Sequence, residues 1–170
     1  QDICSANDFN AICLRYFNAA GAHMSGEIGE AHDPETHLIP NVLKAAISNE
    51  SSLKVFGDDY PTPDGTCVRD YVHVTDLAQA HLLGLEYMQN NKGFFAFNLG
   101  NGDGFSVLEV IKGCEKIADT KIQFQIDGRR EGDPAVLVAK NTKAKSLLCW
   151  KPSYGELNKI LGSAWLWHYR

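Results

Sequence analysis

The sequence predicts an α/β fold, and two segments carry that expectation. AICLRYF (Ala11 to Phe17) alternates Ile12, Leu14 and Tyr16 against Cys13, Arg15 and Phe17, the period of two that fits a strand. FFAFNL (Phe94 to Leu99) is a continuous apolar run of strand length, the pattern of a parallel-sheet strand covered on both faces. Around them, apolar residues recur at helical spacing in several places, so strands and helices interleave.

In chain order, Gln1 to Asn10 reads as the end of a helix and its exit loop. The strand AICLRYF stops at Asn18-Ala-Ala-Gly21, which puts Tyr16 and Asn18 at a strand's carboxyl end, where ligands sit in open α/β sheets. A plain turn residue is the competing reading of Asn18. Gly26 to His37 reads as loop. Ile39, Val42, Leu43, Ala46 and Ile47 make a helical stripe with Pro40 in the first turn, and SLKVF (Ser52 to Phe56) a short strand.

The stretch from Val55 to His81 is the densest in chemistry. Pro61, Pro63, Asp64 and Gly65 mark an ordered loop, CVRDYVHV a short strand, and DLAQAHLLGLEYM a helix with Leu77, Ala80, His81, Gly84, Leu85 and Met88 on one face. Arg69, set among acids at a strand start, is an anion-binding candidate. A surface ion pair is the plainer alternative, and spacing does not choose between them. His81 reads as a half-buried structural histidine.

After FFAFNL come Gly100, Gly102 and Gly104, then Ser106 with Glu109 as a capping box. The arrangement imitates a dinucleotide-binding fingerprint, but Phe105 occupies the third glycine position, so a turn and a capped helix are predicted. IQFQI (Ile122 to Ile126) alternates as a strand, GRREGD is a loop with adjacent arginines, and AVLVA (Ala135 to Ala139) is a short strand. Asn141 is expected to cap a helix through Leu148. Ser153 and Glu156 form a second capping-box pattern ahead of a stripe of Leu157, Ile160, Leu161, Ala164, Trp165 and His168.

Composition narrows the function. The 170 residues suffice for one ordinary domain of roughly 100–200 residues. With 44% hydrophobic residues, a packed core is expected, and no apolar run approaches the roughly 20 residues of a membrane helix. A net charge of −5 argues against nucleic acid as partner. The five cysteines are scattered without a CxxC pair, which suits free thiols in a reducing cytoplasm. His32 and His37 share a loop, but no further ligands are expected beside them, so no metal site is predicted.

A pyrophosphate is gripped best by the planar fork of arginine and by amide donors. Asn18, Arg69 and Arg130 offer these from three separate segments. Asp133 suits sugar hydroxyls, and Phe56 at a strand end suits a flat base. Composition alone does not bring these residues together.

A resemblance does. GDDYPTPDGTCVRDYVHVTDLAQAH, together with LRYFNAAGAH, HLIP and GRREGDPA in the same order, resembles the C-terminal half of the NAD-dependent UDP-glucose 4-epimerases, members of the extended short-chain dehydrogenase/reductase family. The resemblance implies a mixed α/β substrate-binding domain plus the last strands of a doubly wound (Rossmann-like) parallel sheet whose N-terminal part is absent. It places the end of the NAD-binding domain at residues 1–22 and the nucleotide-sugar domain at 23–170, with about 94–118 packing back on the sheet.

It also assigns roles. Asn18 contacts phosphoryl oxygens, Arg69 and Arg130 hold the diphosphate and neighbouring ribose, and Asp133 binds the uridine ribose. Phe56 packs on uracil, whose edge the main chain at Lys54 reads. His37 and Leu38 line the substrate, Tyr16 lies beside the nicotinamide, and Leu137 gates the sugar pocket with a side chain of intermediate size that tolerates an N-acetyl group.

The implied chemistry moves a hydride from C4 of the sugar to NAD and back to the other face. The family's catalytic Tyr-x-x-x-Lys is missing: Tyr16, Tyr60, Tyr71, Tyr87 and Tyr154 are followed at four residues by Ala20, Asp64, Thr75, Asn91 and Asn158. The opening QDICSANDFN reads as mid-helix, so a fragment, inactive alone, is expected, belonging to a homodimeric enzyme. A related dehydratase or decarboxylase, or a non-catalytic nucleotide-sugar-binding module, are the alternatives. Strands such as AICLRYF would expose apolar faces and edges without neighbours, so either a partner chain or further residues of the same protein are expected to cover them.

Overall fold

The computed structural model describes residues 1–48 and 53–169. The chain runs α1 (Asp2–Ala6), β1 (Ala11–Tyr16), β2 (Asn18–Ala20), α2 (Leu38–Ser48), β3 (Leu53–Phe56), β4 (Val68–Arg69) and β5 (Tyr71–His73). It continues through α3 (Val74–Asn90), β6 (Phe94–Leu99), β7 (Phe105–Ser106), α4 (Val107–Ala118), β8 (Phe124–Asp127), β9 (Val136–Leu137), α5 (Thr142–Leu147) and α6 (Leu157–His168). Ser52, read as the start of β3, lies outside the described residues.

The two strongest strand signals pair with each other. β1 and β6 are parallel neighbours, Ala11 opposite Phe94 and Tyr16 opposite Leu99. β2 runs parallel to β5, and β3 parallel to β8. β4 sits between β7, antiparallel, and β9, parallel. Parallel pairing requires crossovers, and α3 supplies the one that carries the chain from β5 to β6.

Two hydrophobic cores result. One gathers Val42 and Leu43 of α2, Val110, Ile111 and Cys114 of α4, and Ile160 and Leu161 of α6 over Val55 and Tyr71. The other gathers Phe97 and Leu99 of β6, Val72, Leu77, Ala80, Leu148 and Trp150, with Ile12 and Leu14 of β1 packed against them. The Trp150 indole N–H donates to the Asp76 carbonyl at 2.9 Å, so its polar edge is satisfied in the interior.

Several expectations are corrected. CVRDYVHV is two strands in different sheets, divided at Asp70. Asn18 to Ala20 is a strand rather than a turn. Only Val136 and Leu137 of AVLVA are strand, and β8 begins at Phe124, leaving Ile122 as a core residue. The buried face of α3 carries Asp76, Leu77, Ala80 and Gly84, whereas His81 and Leu85 are exposed. α2 buries Ala45 and leaves Ile47 exposed.

Asn141 stands at the start of α5 without a capping bond, because its amide nitrogen turns to the Gly100 carbonyl. Ser153 does not cap α6. The backbone N–H groups of Ser153 and Tyr154 donate to the Asp76 carboxylate at 2.8 and 2.9 Å, holding the chain open until Glu156. The Ser106–Glu109 capping box forms as read, with both reciprocal bonds present.

His73 links α3 to α6. It is fully buried; its Nδ1 accepts from the Thr75 backbone N–H at 3.1 Å, capping α3, and its Nε2 lies 2.9 Å from Ser163 Oγ. Accepting at Nδ1 leaves Nε2 as the donor, and Ser163 in turn donates to the Ile160 carbonyl. Burial lowers the His73 pKa below the ordinary histidine value. The unfolded chain therefore takes up this proton first, and stability present in full above about pH 6.5 is lost as pH falls through that value. The urea midpoint is expected to be lower at pH 5.5 than at pH 7.5. His73→Asn, which keeps a capping oxygen but cannot titrate, is expected to be less stable by ~1–3 kcal/mol at pH 7.5 and to show a smaller drop between the two pH values. An unchanged drop would assign the pH dependence elsewhere.

Candidate functional site

One cavity of about 600 Å³ opens among α2, β3, β4, the strand ends at Asn18 and Tyr71, and the last turn of α6. Of the ten site residues expected from sequence, it brings eight together: Asn18, His37, Leu38, Lys54, Phe56, Arg69, Arg130 and Asp133. Tyr16 and Leu137 lie outside its lining. Tyr16 is exposed at the end of β1, its ring edge-on to His81 at 6.4 Å. Leu137 stands opposite Arg69 in the β4–β9 pair.

Arg69 is fixed by its neighbours. Its Nη1 donates to the carbonyls of Val68 at 2.9 Å and Pro134 at 2.8 Å. Its Nη2 lies 3.3 Å from Asp133 Oδ1, an ion pair without hydrogen-bond geometry, so among the described residues that buried nitrogen has no hydrogen-bond partner. A guanidinium held this way offers an unmet donor to an anion in the cavity. The ion pair that the sequence allowed for Arg69 is present, but on a largely buried side chain rather than at the surface.

The adjacent arginines divide their contacts. Arg129 Nε donates to Asp59 at 2.6 Å and the guanidinium covers the Tyr60 ring, tying the loop after β8 to the loop after β3. The Arg129 hydrogen bond holds the Asp59 carboxyl below its ordinary value. Arg130 instead lies over the Phe56 ring, its guanidinium carbon 3.9 Å from the centroid. That face of Phe56 is covered by a movable cation, and a planar base reaches it only by displacing or sandwiching the guanidinium.

Asn18 donates through its amide to the Asp70 carbonyl at 2.8 Å. Lys54 pairs with Asp127 at 3.0 Å on the surface. β3 pairs with β8 along one edge, and among the described residues no strand takes the other, so part of the Lys54 main chain is open to hydrogen bonding. Sequence reasoning missed Cys67, Tyr71, Trp167 and His168 in the lining. Burial pushes the Cys67 thiol and the Tyr71 phenol up, so both stay neutral walls. Glu30 and Glu35 converge on His32 and His37, correcting the expectation that those histidines lack further donors nearby.

The glycine turn before α4 offers no anion site. The Val107, Leu108 and Glu109 N–H groups already donate to the Cys67 carbonyl, Thr66 Oγ1 and Ser106 Oγ at 3.2, 3.3 and 3.0 Å. With those first N–H groups used internally, this turn does not fit a dinucleotide's pyrophosphate.

The fold is α/β, and its cavity is lined by two arginines, Arg69 and Arg130. Residues 1–100 match the model of the NAD dependent epimerase/dehydratase family, and the chain belongs to that family. It is 51% identical over 92% of its length to the UDP-glucose 4-epimerase of Halalkalibacterium halodurans, covering 47% of that protein. A crystal structure of a UDP-glucose 4-epimerase superposes with a TM-score of 0.93 at 48% identity, over 97% of this chain and 50% of the other. The Bifidobacterium longum UDP-glucose 4-epimerase, solved in complex with NAD+ and UDP, gives 0.91 at 42% identity, over 99% of this chain and 50% of the other. The chain thus spans about half the length of the relatives it matches.

Asp70 is the support beneath these residues. Its buried carboxylate accepts the backbone N–H groups of Asn101 at 2.8 Å, Ala139 at 3.1 Å and Gly102 at 3.3 Å. Asp70→Asn turns an amide N–H₂ toward at least one of these donors. It is expected to cost ~1–3 kcal/mol of stability, read as a lower urea midpoint. An unchanged midpoint would show that the three bonds are not needed.

Proposed function

We propose that this chain is the nucleotide-sugar-binding part of an NAD-dependent UDP-glucose 4-epimerase, which interconverts UDP-glucose and UDP-galactose through transient oxidation at C4. The carrying observation is the convergence of Asn18, Phe56, Arg69, Arg130 and Asp133 on one cavity, with an Arg69 nitrogen lacking a hydrogen-bond partner. The matching half of the Bifidobacterium longum enzyme, solved with NAD+ and UDP, supports the same reading.

In this reading Arg69, Arg130 and Asn18 hold the diphosphate and Asp133 takes the ribose hydroxyls. Uracil lies on Phe56 and against the main chain at Lys54, and His37 and Leu38 flank the bound sugar-nucleotide. Leu137, beside Arg69 across β9, gates the sugar and admits an N-acetyl group. Tyr16 faces the nicotinamide. Bound NAD supplies the hydride acceptor. No Tyr-x-x-x-Lys is present in this sequence to act as base, so the chain alone binds without turning over. The whole enzyme works as a homodimer in the cytoplasm, with residues 1–22 belonging to its NAD-binding domain and 23–170 to its sugar-nucleotide domain.

Calorimetric titration with UDP tests this. Saturable binding is expected, weakened about tenfold or more in Arg69→Ala and in Arg130→Ala, the cost of a lost charge-assisted hydrogen bond. Absence of saturable binding, or unchanged affinity in both variants, would overturn the assignment.

A further inference from the structure

The loop before α2 repeats a short pattern, Glu30-Ala-His32 and Glu35-Thr-His37, on either side of the Asp33–Pro34 turn. The fold closes these two pairs onto one another. His32 Nδ1 lies 2.5 Å from Glu30 Oε1, and His37 Nδ1 lies 3.0 Å from that same oxygen and 2.9 Å from Glu35 Oε1. The two imidazole rings stand 4.8 Å apart, and one donor atom from each of the four residues falls within 4.8 Å of the others.

Both carboxylates are withdrawn from solvent, with the Glu35 side chain 4% exposed and that of Glu30 19%. Among the described residues, neither forms an ion pair with a lysine or arginine; the side chains in close contact with them are the two histidines. The backbone beneath is braced: the Trp167 indole N–H donates to the Glu30 carbonyl at 2.7 Å, and Asn41 donates to the Glu35 carbonyl at 3.4 Å.

The geometry points to a divalent transition-metal site formed by Glu30, His32, Glu35 and His37 at the mouth of the cavity. Two imidazoles with two carboxylates suit zinc-type ions, whereas magnesium and calcium favour oxygen alone. A tetrahedral ion with bonds of about 2.0–2.1 Å sets its ligand atoms about 3.3 Å apart, so the close pairs at 2.5, 2.9 and 3.0 Å would open slightly and the wider ones, at up to 4.8 Å, would close. The ion would take the place of the direct nitrogen–oxygen contacts, and the braced Glu30 and Glu35 carbonyls would steady the ligands. Two carboxylates and a divalent ion sum to neutrality, so the metal removes negative charge from the cavity mouth. The inference does not depend on the cavity's ligand being a nucleotide.

Titration of the metal-free chain with Zn²⁺, and separately with Co²⁺, tests it. One equivalent is expected to bind, with the visible absorption of a low-coordinate Co²⁺ ion and without the thiolate charge-transfer band that cysteine ligation would add. His32→Ala, at an exposed loop position outside the cavity lining, should leave the circular dichroism unchanged. It should lower affinity by at least the roughly tenfold that loss of even an outer partner costs; Glu35→Gln should do the same. Failure to saturate at one equivalent, a thiolate band, or wild-type affinity in His32→Ala would overturn the site.

Discussion

The structure depends on how the chain passes through Asp70. The carboxylate there is fully buried and takes three backbone N–H groups, from the glycine turn and from the residue two past β9. Its main chain is also engaged: the N–H donates to the Leu137 carbonyl, and the carbonyl accepts from both the backbone and the amide of Asn18. One residue therefore holds the end of β1–β2, the turn after β6 and the segment carrying Pro134 to Ala139. Arg69 precedes it, fixed in turn by the Pro134 carbonyl. Gly100 is small for the same reason, since a Cβ there would meet Asp70 Oδ2 at 2.2 Å. Three distant loops can share a cavity because a single buried acceptor fixes their backbones.

Much of this was legible from local pattern, and what was not has a common cause. The alternation of AICLRYF and the apolar run FFAFNL mark the pair of parallel strands, and Ser106 with Glu109 marks the start of α4. Each of those signals is short-range. The misread places involve partners far away in sequence. CVRDYVHV looks continuous, yet Asp70 is claimed by residues some 30 and 70 positions later and the strand divides there. Ser153 has the spacing of a cap, but Asp76, 77 residues earlier, takes its backbone N–H and delays α6. His32 and His37 were visible as a pair, while the closing of two Glu-x-His repeats onto one point required the fold.

The electrostatics of the cavity follow from what the helices withhold. A helix N-terminus is the usual backbone site for a phosphate, and α4 begins close by. Its first N–H groups are spent on Cys67, Thr66 and Ser106, so positive charge must come from side chains. Asp64 makes that closure firm: burial opposes its ionisation, but bonds from Ser106 and Thr66 outweigh burial and hold its carboxyl below the ordinary value. The cavity's arginines differ in how they are held, Arg69 pinned with a free donor and Arg130 resting on Phe56. A pinned guanidinium supplies direction and a movable one supplies adaptation.

β5 is where cavity and sheet meet. It is only three residues long, and all three are buried. Tyr71 belongs to the core under the cavity and Val72 to the core behind β6, because successive strand residues face opposite sides. His73 returns to the first side and reaches Ser163 of α6. Tyr71 and Val72 thus join the two cores through adjacent residues, Val72 lying in the same core as Phe97 and Leu99. β1, beyond the second core, has one edge paired with β6 and, among the described residues, no strand on the other, while Phe9, Phe17, Leu82 and Leu85 lie exposed. An unpaired edge is where a further strand could add to a sheet, and β5 stands between the two cores as one short, fully buried strand.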